Sequence, residues 1–240
     1  MDSIFSKTPV GIPLVEFSPL HLTVLALFVS FLIVTIVFKK RIQANPFLCK
    51  RLPLYLGFGC WAFELVFHVW SWYWSLDFIE TLIPLQLCSI SLLMTIWLVL
   101  SDSPKVFQFY YFFSWGAVLA LLFPSISYSF PHVRFLGYFY CHSYIVWLNV
   151  YYLCVRQFKI ETTAFRNLVI VMIPLAVAVR WIDLTFHYDY MFLSGPSATE
   201  SPLNFLGDGM EYFFKLLGLA LAGFYLLYLL APKQRKTGSL

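Results

Sequence analysis

Charge is what this chain has least of: Asp, Glu, Lys and Arg make up 12% of its 240 residues, about half the share in a soluble domain. That is too little polar side chain to coat a water-facing globule, which excludes an ordinary soluble enzyme. A hydrophobic content of 60% excludes a disordered tail protein. None of the five cysteines (Cys49, Cys60, Cys88, Cys141, Cys154) shows C-x-x-C spacing, so neither a disulfide framework nor a zinc ribbon is indicated. Internal repeats and low-complexity tracts are absent, as is the polar–apolar alternation of barrel strands. The formal charge of +4 fits membrane topology better than nucleic-acid binding, and no nucleic-acid partner is expected.

What the chain has instead is long apolar runs, with a mean hydropathy of +0.77. A helix needs about 20 such residues to cross a bilayer. Seven segments qualify: roughly 20–38, 52–74, 78–100, 106–124, 134–154, 166–184 and 210–231. The expected fold class is therefore all-α, one polytopic bundle of seven transmembrane helices spanning 1–240. Pro84 and Pro174 fall inside spans and predict kinks. The first segment lacks a small-residue cleavage site and its positive charges follow it, so no cleavable signal peptide is expected.

Orientation follows from Lys and Arg. Lys39, Lys40, Arg41, Lys50, Arg51, Lys105, Arg156, Lys159, Arg166, Lys233, Arg235 and Lys236 fall on one side of the seven-span arrangement, and only Lys7 and Arg134 on the other. This bias puts the N-terminus outside and the C-terminus in the cytoplasm. The 185–209 loop, which has no Lys or Arg, becomes an extracytoplasmic cap.

Ionisable groups in a membrane are costly unless paired or hydrated, so their positions carry information. Glu64 and His68, four apart on one helix face, lie in the outer half of the second span. Asp77, Glu80, Gln86 and Cys88 open the third, and His142 lies in the outer half of the fifth. Arg180 and Asp183 close the sixth; Glu211 and Lys215 open the seventh. All fall in the outer half, which predicts a hydrated cavity open to the outside. Cys88 and His142 share a depth of roughly 12–15 Å at 1.5 Å per residue. Plainer roles remain open: Arg180 with Asp183 (or Glu64) and Glu211 with Lys215 as neutralised pairs, and Trp70, Trp72 and Trp74 as an interfacial aromatic belt.

Four stretches resemble the YwaF-like family of bacterial integral membrane proteins: Glu16 through Leu22, similar to an F-S-x-x-H-L opening; Leu82 through Ile90, similar to L-P-L-H-L-C; Gly116 through Pro124, followed by His142; and Asp189 through Leu193 with Pro202, Leu206-Gly207 and Tyr212. The resemblance implies a multi-pass protein of the bacterial cytoplasmic membrane. That family is in turn similar to a mammalian transmembrane acyltransferase that remodels ether phospholipids through a cysteine and a histidine. At the motif's histidine this chain has Gln86, and Leu85 stands where the acyltransferase has its cysteine.

These observations lead to a lipid-modifying enzyme using no cofactor and no metal, with membrane lipids as substrate. Cys88 attacks an acyl ester and His142 handles the thiol proton, with His68, held by Glu64, as the alternative base. Gln86 donates to an oxyanion; Arg180 and Lys215 hold a lipid phosphate, with Asp183 and Glu211 beside them. The alternatives are a non-enzymatic lipid or solute binder or transporter, and a metal-dependent intramembrane hydrolase built on Glu64, His68 and His142. No motif names a soluble partner or an oligomeric state.

Overall fold

The computed structural model describes residues 4–9, 13–74, 76, 81–195 and 202–234. Among these residues the regular structure is helical: α1 (Pro19–Val37), α2 (Lys39–Ala44), α3 (Pro46–Tyr73), α4 (Leu87–Ser101), α5 (Pro104–Phe113), α6 (Gly116–Leu122), α7 (Val133–Cys154), α8 (Ala164–Phe186) and α9 (Gly209–Leu230), with a 3₁₀ turn at Pro202–Leu206. Five stretches are long and apolar enough to cross a membrane: Pro19–Val37, Pro46–Tyr73, Pro104–Leu122, Ala164–Phe186 and Gly209–Leu230. Each of the seven apolar runs contains helix, but the third helix is 15 residues long. The chain divides into two compact units, one of residues 1–84 and 88–158, the other of 85–87 and 159–240.

The first unit is organised around α7, which packs on α1, α3 and α6. At 22 residues α7 is long enough to span, but tyrosines make it less apolar than its neighbours. Its sequence suits the centre of the unit, because five of those tyrosines donate to backbone carbonyls around it. Tyr138 bonds Ala120 O (2.8 Å), Tyr140 Leu56 O (2.9 Å), Tyr144 Pro53 O (2.8 Å), Tyr151 Cys49 O (3.0 Å) and Tyr152 Leu98 O (3.1 Å). Where water is absent, each such bond satisfies a hydroxyl that would otherwise be stranded. By contrast α1 buries only His21 and Thr35 and exposes Leu27 and Val37, as a lipid-facing helix does.

The structure corrects the expectation of a kink at Pro84 and refines the fourth span. Pro84 does not kink a continuous helix; it lies in a non-helical break before Leu87, because proline supplies no N–H and forces the preceding residue out of the helical region. Pro174 does lie within α8. The fourth run is broken between α5 and α6 at Ser114-Trp115. There Trp115 N–H turns to Phe112 O, and the buried Asn149 amide takes Tyr111 O (3.1 Å) and Ser114 Oγ (2.6 Å).

The second unit pairs α8 with α9 around Ala176, Val179, Tyr190, Leu193 and Phe213. One parallel bridge, Ile160 to Lys233, ties its beginning to its end.

Candidate functional site

The selected residues divide between the units: Cys88, His142, Glu64 and His68 in the first, Gln86, Arg180, Asp183, Glu211 and Lys215 in the second.

In the first unit the focus is Tyr138. Its ring lies 4.2 Å from that of His142. Cys88 is the second residue of α4. His142 Nδ1 is 2.7 Å from Tyr138 O. A carbonyl only accepts, so Nδ1 carries the proton and Nε2 keeps the lone pair of a base. One turn toward the start of α7, Arg134 lies 3.8 Å above the Phe67 ring and within charge range of Glu64, Tyr138 and His142. Glu64 Oε1 faces His68 Nε2 at 3.5 Å. His68 Nδ1 is buried and has no partner among the described residues. Sequence reasoning missed Arg134 by counting it only toward topology; the available signal was a guanidinium in the first turn of a span.

An N-terminal strap covers this end of the unit. Four successive carbonyls are captured: Ile4 O by Val133 N (2.9 Å), Phe5 O by Trp70 and Trp74 Nε1 (3.0 and 2.9 Å), Ser6 O by His132 Nε2 (3.1 Å) and Lys7 O by Tyr128 OH (2.6 Å). Trp70 is therefore a buried anchor rather than part of a lipid-facing belt, while Trp72 is exposed. His132 Nδ1 accepts Arg134 N–H at 3.0 Å, so its proton sits on Nε2. Burial pushes its pKa below the usual imidazole value.

In the second unit the polar residues are occupied. The Gln86 amide grips the 187–195 loop from both sides, Nε2 donating to Asp189 O (3.0 Å) and Oε1 accepting from Met191 N (2.8 Å). Asp183 Oδ1 accepts Tyr190 N at 3.0 Å. Arg180 donates to Leu193 O and lies 5.0 Å over the Phe213 ring, where its spacing had predicted an acid. The carbonyl takes Nη1 and the ring face offsets part of the charge, while the buried Nε has no partner among the described residues. Glu211 and Lys215 form an exposed pair at 2.5 Å. Residues 196–201 of the expected cap, and Asp77 and Glu80, lie outside the described residues.

None of the selected residues lines the apolar recess of about 250 Å³ between α1 and α7, formed by Val24, Phe28, Phe31, Leu56, Ser143, Trp147 and their neighbours. Among the described residues no three His, Cys, Asp or Glu side chains gather to hold a metal ion, so Glu64, His68 and His142 do not form the ligand set a metal hydrolase needs.

The four motif stretches are joined in pairs. His21 Nε2 bonds Leu121 O (2.8 Å), linking the first to the third, and Gln86 links the second to the fourth. No curated protein and no solved structure matches the chain. The comparisons do not show the YwaF-like resemblance, and the bacterial membrane it implied rests on those motifs alone. Residues 16–228 match the TMEM164 family, in keeping with a distant relation to a mammalian transmembrane protein, and the chain belongs to that family.

Proposed function

We propose that this membrane protein transfers acyl groups between lipids, with Cys88 as nucleophile and His142 as base. The observation that carries the reading is His142, whose Nδ1 is held by the Tyr138 carbonyl so that Nε2 is left unprotonated as a base. His142 Nε2 takes the Cys88 proton, and the thiolate adds to an ester carbonyl of a donor phospholipid. The ester C–O bond breaks, His142 returns the proton to the departing lysolipid oxygen, and a thioester remains. An acceptor hydroxyl then attacks the thioester, giving its proton to His142 and regenerating the thiol. Arg134, near both Tyr138 and His142, replaces Arg180 as the cation placed to hold a lipid phosphate. His68, with Glu64 on Nε2 and Nδ1 open, is the second base.

The reading keeps seven spans in one domain, an outside N-terminus and a cap over 185–209. A second reading, lipid binding without chemistry, draws on the apolar recess beside α7. Purified protein in lipid with a labelled donor phospholipid separates the two. Cys88→Ala and His142→Ala should each abolish transfer in folded protein, with the double variant little worse than either. Full turnover by Cys88→Ala would exclude cysteine catalysis and leave binding.

A further inference from the structure

Helix α2 and the start of α3 carry five cations within thirteen residues: Lys39, Lys40, Arg41, Lys50 and Arg51. From Phe17 to Phe63 there is no Asp or Glu. The fold fixes these cations on one corner. α2 packs on α3, and Gln43 Nε2 pins it to Val155 O at 2.7 Å. Asn45 Oδ1 caps α3 through Phe47 N and Leu48 N at 3.0 and 3.1 Å. Lys40, Arg41, Lys50 and Arg51 are exposed. None of the five has an ion-pair partner among the described residues. Asp102 is paired with Arg156, which also donates to Cys49 Sγ at 3.5 Å.

We propose that this corner binds the phosphate-bearing headgroups of anionic phospholipids. Charge alone would suit any polyanion, but the apolar rim narrows the choice. Phe38, Phe47 and Leu48 are 40%, 58% and 41% exposed around the cations, at the ends of two membrane-length helices. Arg41 lies 5.2 Å over the Phe38 ring, which holds its guanidinium at the apolar edge. Cations above an exposed apolar rim match a headgroup with its acyl chains below. The proposal stands apart from acyl transfer and needs no activity.

The test is lipid retention by the full chain in detergent, read by native mass spectrometry with phosphatidylglycerol, phosphatidylcholine or inorganic phosphate added. Phosphatidylglycerol should be retained over phosphatidylcholine, and raising the ionic strength should weaken its binding. Each cation changed to Gln should weaken binding about fivefold, and Lys40→Gln/Arg41→Gln should suffice if the variant with all five changed does not fold. Equal retention of both lipids, or unchanged phosphatidylglycerol binding in the variants, would overturn the proposal. Competition by inorganic phosphate at matched concentration would assign the corner to soluble anions and overturn it equally.

Discussion

Pro53 and Tyr151 meet at one carbonyl. Proline at position 53 has no N–H to offer Cys49 O one turn earlier in α3, and the Tyr151 hydroxyl on α7 donates to that oxygen at 3.0 Å. The backbone group left over by the proline is thus satisfied by the neighbouring helix. Tyr151→Phe should cost about 1 kcal/mol, measured by denaturant unfolding in detergent. In the Pro53→Ala background, where position 53 regains an N–H, the same change should cost much less. Equal losses in both backgrounds would disprove the pairing.

Gly57 is required by the same interface. A Cβ there would stand 2.7 Å from the Tyr144 hydroxyl and 3.0 Å from the Trp61 ring. Tyr144 is buried and held by Pro53 O, so it has nowhere to go. Gly57→Ala should destabilise by about 1–3 kcal/mol, partly recovered by Tyr144→Phe. Gly218→Ala and Gly223→Ala on α9 meet nothing within 4 Å and should be neutral or mildly stabilising. A tolerated Gly57→Ala would show that α3 and α7 are less closely set.

Gln86 is predicted to clamp the 187–195 loop rather than serve chemistry. Gln86→Glu keeps the acceptor for Met191 N–H but loses the donor to Asp189 O; Gln86→Leu loses both. Hydrogen exchange at the Met191 amide should therefore be slow in the unmodified chain, intermediate in Glu and fastest in Leu. Each lost bond should be worth about fivefold to tenfold. Unchanged protection in Gln86→Leu would remove the clamp.

His132 makes the strap end sensitive to acid. Burial lowers its pKa in the folded protein, whereas in the unfolded chain it titrates near the ordinary imidazole value of 6.5. Below that value the unfolded chain binds the proton first, so stability falls as pH drops from about 6.5 toward the folded pKa. Protonation also puts a hydrogen on Nδ1, against the Arg134 N–H it now accepts. His132→Asn keeps a capping acceptor without the titration. Its melting temperature should fall less between neutral and mildly acidic pH than that of the unmodified chain. Parallel pH profiles would show that His132 does not contribute.

The membrane character of the protein was legible because it depends on composition along single helices. Apolar runs such as 19–37 and 209–230 have one stable state in lipid, whatever packs beside them. The polar residues were legible as positions only. His142 and Cys88 were selected by depth, and Tyr138, which packs on His142, was not, because a tyrosine in a span carries no sign of which carbonyl or ring it meets. Gln86 read as an oxyanion donor because it lies two residues from Cys88 in sequence, while its partners lie about a hundred residues away.

By itself, then, the sequence determined that the chain is helical, embedded in membrane and belted by cations where its second long helix begins. These properties follow from local transfer free energies and helix length. Tertiary structure decided that α7 is central, that Pro84 separates helices, that Trp70 and His132 hold the strap, and that Arg180 meets a carbonyl and a ring. Each of those depends on which distant backbone group comes within hydrogen-bonding distance, and in a medium without water that choice is enforced by the need to satisfy every buried polar atom.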